Sequence, residues 1–348
     1  MRTGYAVLHE GKKVRHCYPI TEWTDTLPNY VGKTDTYHSL HHHGVAVESE
    51  LMAYRVYFDK KQTIDPYCKR HPQLELATSY WYPNDSLLAL GYGDDILRVS
   101  GTVGVGSVKY WDGRKHCHIE PVAERSERIV RQTRNSATIE VAVKGWEIES
   151  HQPSEVSRQK VDLTVQYTMQ AGHRDMRCDV ALSEPVEGLC TGVQTIPAKG
   201  NLTAQRSYSE TVLQQSGLTG EADRCSFVEQ LPNGILLASW GTDWPVNDSA
   251  KYAKETVGLA VFIPKEYAGE LVHDKSNNLC LLNLTGTGSA GLTAKRSYSN
   301  SDPTAKRSEM CRAHFYLTCC GATKENKPVA TTAEEWFAYL RRWTQHLR

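Results

Sequence analysis

The feature that most constrains this chain is a succession of β-rich runs with period-2 character between residues 96 and 183, punctuated by short polar turns. Residues 128–133 and 138–148 flank the turn Arg134-Asn135-Ser136-Ala137, and residues 161–169 and 176–182 flank a second turn at 170–175. Each pair reads as a β-hairpin. Long strands joined by tight turns in meander order build a broad antiparallel sheet. Residues 96–111 read as a further strand, bent or bulged at Gly101, Gly104 and Gly106.

More strands are predicted at 189–194, 206–212, 225–230, 235–240, 257–263, 279–284 and 310–319. The total, on the order of fifteen, exceeds what an open twisted sheet holds before splitting into packed layers. The predicted fold is therefore all-β, a large antiparallel β-sandwich taken as one unit over residues 1–348. The C-terminus differs. Thr332 and Glu335 form a capping box, and Trp336, Leu340, Trp343 and Leu347 recur at helical spacing, which predicts one amphipathic helix over 332–347 docked on a sheet.

Composition excludes some partners. Lys+Arg and Asp+Glu both total 40, so no overall basic field exists to recruit nucleic acid. No stretch approaches the ~20 apolar residues of a membrane span. The start Met1-Arg2-Thr3-Gly4-Tyr5 lacks the apolar core of a signal peptide, although a chain whose export signal has been cut away also begins in this manner. The 10 cysteines show no C-x-x-C pair or finger-like spacing, which argues against structural zinc and for buried thiols. Segments 202–209 and 292–299 are nearly identical. They bring Arg206 and Arg296 either to one anionic ligand or to two exposed turns of similar chemistry.

Polar chemistry concentrates in residues 38–61, read as a loop feeding a long strand. In unbroken strand geometry His41, His43, Arg55, Tyr57 and Asp59 share one face, and His42, Glu48, Glu50, Tyr54 and Lys60 the other. Imidazoles serve as proton shuttles, metal ligands or sugar hydrogen-bond partners. The spacing of His41, His43 and Glu48 resembles the first metal motif of cupins, but no second cupin motif accompanies it. No cofactor is expected; a divalent ion on these three residues is the alternative to solvated or hydrogen-bonded histidines. Asp94 and Asp95 follow a glycine turn and point to opposite faces of a strand, so they are poorly placed as a catalytic pair. His116 and His118 form a further cluster beside Trp111. Tyr80, Trp81, Tyr82 and Trp146 add aromatic surface of the kind that stacks on sugar rings or fills a sandwich core.

On His41-His42-His43-Gly44, Glu48, residues 53–61 and Gly91-Tyr92-Gly93-Asp94-Asp95, the sequence resembles a bacterial family recorded as a domain of unknown function, numbered 4861. The likeness extends to residues 258–264 and to the helix at Trp336 and covers most of the chain. Members of that family are typically encoded in polysaccharide-utilisation clusters near enzymes that process unsaturated uronic-acid oligosaccharides, and normally carry an export signal. The resemblance thus implies carbohydrate chemistry, a periplasmic or cell-surface setting, and a supersandwich similar to galactose mutarotases and polysaccharide-lyase domains.

The leading expectation is a lyase that cleaves uronate-containing, pectin- or glycosaminoglycan-like oligosaccharides or polysaccharides by β-elimination. Such a reaction needs a cation at the C5 carboxylate, a base for the C5 proton and an acid for the leaving oxygen. Arg55 or Lys60 would neutralise, a histidine among His41, His42 and His43 would be the base, and Tyr54 or Tyr57 the acid. Glu48, Lys60, Asp94, Asp95, Trp111, His116, His118 and Trp146 are expected to bind substrate. A glycoside hydrolase, and a mutarotase-like module that holds a sugar without cleaving it, are the alternatives.

Overall fold

The structure is a computed structural model that describes residues 41–79, 82–149, 158–196, 225–247, 249–284 and 311–347, with three short strands near the N-terminus. Of these, β2 (Val7–His9) and β3 (Lys13–Arg15) pair as a hairpin, and β1 (Arg2–Gly4) joins a five-stranded sheet with β4 (Ala46–Glu48), β5 (Met52–Val56), β6 (Ile64–Cys68) and β7 (Asp94–Asp95). The second sheet has five strands: β8 (Lys109–Trp111), β9 (His116–Cys117), β14 (Leu189–Gln194), β18 (Ala268–His273) and β19 (Asn277–Leu282). The third has eight: β10 (Glu124–Gln132), β11 (Ser136–Glu149), β12 (Arg158–Gln170), β13 (Met176–Leu182), β20 (Cys311–Gly321), β17 (Glu255–Pro264), β16 (Gly234–Asp243) and β15 (Cys225–Leu231), in that order.

The all-β expectation holds. The eight-stranded sheet forms one layer and the two smaller sheets the other; β4 and β6 pack on β11 and β20, while β14 packs on β16 and β17. One hydrophobic core draws on all three sheets. Alternation in the hairpin strands creates it: Val161, Leu163, Val165, Tyr167 and Met169 of β12 are buried. Across the ladder Ile139 pairs with Tyr167, Val141 with Val165 and Val143 with Leu163, so apolar side chains meet on one face. A bulge between Val143 and Trp146 shifts the parity by one, and Trp146 also turns into the core.

The C-terminal helix α2 (Ala333–His346) begins at its expected cap, with Thr332 Oγ1 accepting from the Glu335 N–H. Trp336, Phe337, Leu340 and Trp343 pack on Trp240, Ala260 and Phe262, on the face of the large sheet opposite the main core. Gly258 permits this approach, since a Cβ there would lie 2.6 Å from the Trp336 ring. A second helix, α1 (Asp85–Ala89), was not legible in the hydrophobic pattern: it buries none of its residues and is capped by Asn84.

Two strand expectations fail. Residues 96–111 do not form one strand; only β8 and isolated bridges at Gly104 and Val105 remain, because Ser100, Gly104 and Gly106 hold φ of 44°, 55° and 73°. Nor do residues 41–61 form a loop feeding one strand. His41–His43 is a short 3-10 turn, and residues 49–51 separate β4 from β5, the Ser49 N–H donating to the Met52 carbonyl at 2.9 Å. The strand expected at 206–212, together with Arg206, Arg296, Tyr80 and Trp81, lies outside the described residues.

Candidate functional site

The β4–β5 turn redistributes the polar residues that strand parity had sorted. Glu48 pairs across the ladder with Ala53, and Ala46 with Arg55, so Glu48 shares a face with Arg55. Tyr54 takes the opposite face, inside the main core, where its hydroxyl donates to the Arg174 carbonyl at 2.6 Å. Burial raises its pKa well above the ordinary value, and it sits apart from the polar face. Tyr54 is thus a core residue and not an acid of the site.

On the outer face Arg55 is the centre of a buried network. Its Nε donates to Asp65 Oδ2 at 2.8 Å, and its Nη2 lies 2.6 Å from the same oxygen, 3.0 Å from Asp95 Oδ2 and 3.2 Å from the Tyr57 hydroxyl oxygen. The Tyr57 hydroxyl donates to Asp65 Oδ2 at 2.6 Å. The guanidinium carbon lies 5.2, 4.8 and 5.0 Å from the ring centroids of Tyr57, Tyr67 and Tyr82. Burial and the charge of Asp65 push the Asp95 carboxyl well above the usual carboxylate range, against the pull of Arg55. Burial raises Asp65 too, opposed by Arg55. Two carboxylates facing one guanidinium thus favour retention of a proton between them. Arg55 is 2 % exposed and already faces two carboxylates, which corrects its expected role: it organises the site and does not itself offer a charge to substrate.

Above this network lies a cleft of about 430 Å³ lined by Tyr57, Lys61, Tyr82, Asp95, Arg98 and Asn247, with 99–101 forming one wall. Lys61 lies 3.3 Å from Asp59 and sits over the Tyr57 ring, its Nζ 5.6 Å from the centroid. Arg98 donates to Asn247 Oδ1 at 3.1 Å. His43 is buried, with ring centroids 5.8 Å from Tyr57 and 6.4 Å from Tyr82. His43 thus reaches two rings of the cleft lining, to which Asp95 also belongs, while Glu48 and Asp94 do not line the cleft.

The remaining expected site residues serve other ends. His42 and His43 hold φ of 53° and 60°, and His42 Nε2 meets the Leu76 carbonyl at 3.0 Å, which ties the histidine turn to the 70s loop. The His41 side chain lies outside the described residues. Both Glu48 oxygens are engaged, by the Leu76 N–H on one side and by Lys69 and the Glu75 N–H on the other, so Glu48 anchors a loop and has no oxygen left over for a metal or a sugar. Among the described residues no group of three or more His, Cys, Asp or Glu is arranged to hold a metal ion. Lys60 is exposed and faces Glu120 at 3.7 Å. Asp94 points away from Asp95, toward Lys324 at 3.9 Å; burial outweighs that cation and pushes Asp94 up to about 6.

Trp146 is core, its ring edge-on to Tyr110 at 5.6 Å, and Trp111 packs beside Val103, Cys190 and Leu279. Neither reaches the cleft. His116 is bound to Asp274 at 2.5 Å, and His118 is pushed down to about 3 by burial and by the charges of Lys109, His116, Lys60 and Lys61. The described cysteines are free thiols, all buried except half-buried Cys117.

Sequence reasoning missed Asp65, Lys61, Arg98 and Asn247 as site residues, and named Tyr82 only among aromatics suited to sugar stacking or core. Asp65 was within reach, since a buried arginine on a hairpin needs a carboxylate on the neighbouring strand. Arg98 and Asn247 lie 149 residues apart and carried no such signal.

The profile of a family described as "Domain of unknown function (DUF4861)" matches residues 20–348. This chain belongs to the DUF4861 family. The match spans every strand from β4 onward and both helices, so the network around Arg55 and the cleft above it lie within the DUF4861 region. No curated protein matches the chain.

Proposed function

We propose that this protein acts on uronate-containing glycans and cleaves them by β-elimination in the cleft above Arg55. The observation that carries the reading is the setting of Tyr57, which lines the cleft while its hydroxyl is held between the Arg55 guanidinium at 3.2 Å and Asp65 at 2.6 Å. Asp65 accepts the Tyr57 hydroxyl hydrogen bond and is placed to take that proton as the phenolic oxygen receives one from the sugar. The phenolic oxygen takes the C5 proton while passing its own to Asp65, the C4–O bond breaks as the C4–C5 double bond forms, the leaving oxygen takes a proton from solvent water, and Asp65 returns its proton to solvent. Lys61 and Arg98, the cations lining the cleft, face the sugar carboxylate and stabilise the charge that builds on it as C5 loses its proton. Tyr57 and Tyr82 offer aromatic surface to the ring, and His43, edge-on to both, orients them. On this reading the protein works in the periplasm or at the cell surface, where polymeric glycans arrive.

A hydrolase is the second reading, favoured by Asp95, which lines the cleft and whose carboxyl burial pushes well above the usual carboxylate range. Incubation with galacturonan and glycosaminoglycan fragments, followed by chromatography with ultraviolet detection, tests both. A lyase releases an unsaturated, ultraviolet-absorbing product. New reducing ends without that absorbance indicate hydrolysis, and bound but unchanged sugar indicates a recognition module.

A further inference from the structure

The sequence cluster around His116 takes no direct part in the cleft, yet it is tied to one of the cleft walls. His116 begins β9 in the second sheet. Its Nδ1 lies 2.5 Å from Asp274 Oδ2, and its Nε2 lies 2.7 Å from the carbonyl oxygen of Gly101, a residue lining the cleft. The ring thus bridges the carboxylate of one segment and the carbonyl of another. The His116 backbone N–H also points at Asp274 Oδ2, at 3.2 Å. Asn277 completes the support: its Nδ2 donates to Asp274 Oδ1 at 2.8 Å and its Oδ1 accepts from the Val103 N–H at 2.9 Å. Burial alone would raise the Asp274 carboxyl, but hydrogen bonds from His116, the Ser276 N–H and Asn277 outweigh it and hold the group well below the usual carboxylate range.

The rest of that wall is held in the same manner. Gln194 Nε2 donates to the Arg98 carbonyl at 3.3 Å, Thr102 Oγ1 meets Gln194 Oε1 at 2.5 Å, and Thr63 Oγ1 donates to the Thr102 carbonyl at 3.3 Å. Such fixing is needed because the segment has no strand ladder of its own and passes through a left-handed Ser100, φ 44°. An irregular, strained segment keeps one conformation only where its surroundings over-determine it.

We propose that His116, oriented by Asp274, is a positioning residue of the cleft: through the Gly101 carbonyl it fixes the 98–102 segment of the cleft that Lys61 also lines, and so sets the grip of the cleft on an acidic ligand. The ligand class rests on the reading above; the positioning does not. His116 touches no substrate in this role. It acts from a different sheet, on a loop 15 residues away in sequence, with its carboxylate partner 158 residues away.

Hydrogen–deuterium exchange on the full chain, paired with calorimetric titration of trigalacturonate, tests this. In His116→Ala the 98–103 amides are expected to exchange at least tenfold faster while those of β11 to β13 stay at wild-type rates, and trigalacturonate binding is expected to weaken at least fivefold. His116→Gln, whose amide nitrogen can still donate to Gly101, is expected to restore most of both. Asp274→Asn, which loses the charge and replaces one of the two accepting oxygens with an amide nitrogen that cannot accept, shifts both readouts in the same direction by less, and serves if the alanine variant does not fold. Unchanged exchange at 98–103 in folded His116→Ala overturns the proposal. So does faster exchange there with trigalacturonate binding equal to wild type, since the wall would then not shape the grip. If wild type binds no trigalacturonate but the exchange pattern appears, the acidic-ligand reading fails and the positioning of the wall by His116 stands.

Discussion

Arg55 and Asp95 meet 3.0 Å apart beneath the cleft, from strands that lie two places apart in the same sheet and 40 residues apart in sequence. Both are almost wholly buried, and Asp65 shares the same guanidinium. Removing one partner from such a group strands the others in low dielectric. Arg55→Met is therefore expected to cost about 3–5 kcal/mol of stability, as broken buried ion pairs do. Urea denaturation followed by tryptophan fluorescence measures it. A variant as stable as wild type would mean that the arginine charge is spent on a ligand and not on holding Asp65 and Asp95.

Tyr57→Phe removes one hydroxyl and little volume. If Tyr57 transfers the proton, turnover of a uronate-containing oligosaccharide falls at least 10²-fold, within the range of general acid–base catalysis at about 10²–10⁴-fold. The melting temperature is expected to change by only a few degrees, since the loss is a buried hydrogen bond of about 1–3 kcal/mol. Full activity in this variant would move the chemistry to Asp95 or His43.

Lys61 and Arg98 are partly exposed, with side chains 29 % and 40 % accessible, so neutral replacements should barely alter the fold. Lys61→Gln and Arg98→Gln are each expected to raise the KM for an acidic oligosaccharide about tenfold, the loss of one charge-assisted contact of about 1.4 kcal/mol. Added salt should weaken wild-type binding more than that of either variant. A neutral oligosaccharide bound equally well by all three would remove the argument for uronate.

Asp94 predicts a pH dependence. Its carboxyl has an ordinary value of 3.8 and is pushed to about 6 by burial, so between these values the folded chain holds more protons than the unfolded one. Stability then falls as pH rises through this window, by up to about 3 kcal/mol at roughly 1.4 kcal/mol per unit. Asp94→Asn keeps an acceptor for the Asp95 N–H and should lose that part of the slope. Denaturation midpoints from pH 4 to 7 in both proteins decide it.

Trp336 is fully buried between α2 and the large sheet, against Gly258. Trp336→Ala is expected to cost about 3–5 kcal/mol. Near-ultraviolet circular dichroism during thermal unfolding would show whether α2 melts with the sandwich or ahead of it.

What the sequence determined by itself is the part of the protein governed by local periodicity. The hairpins β10–β11 and β12–β13, the strands β14 to β17, and α2 with its Thr332 cap all lay where alternation or helical spacing put them, because burying one face of a strand or helix dictates the pattern along it. Tyr57 and Asp95, both named from the sequence, do line one cleft. Tertiary structure decided the rest. A three-residue turn between Glu48 and Met52 reversed the face on which Glu48 was expected, a bulge turned Trp146 inward, and left-handed residues dissolved the strand expected at 96–111. The partners that define the site, Asp65 and Asp95 on Arg55, Arg98 with Asn247, and Asp274 behind His116, are contacts between distant segments. No spacing along the chain encodes such contacts. They arise from sheet order and from the need of each buried polar group for a partner, and both are fixed only when the layers pack.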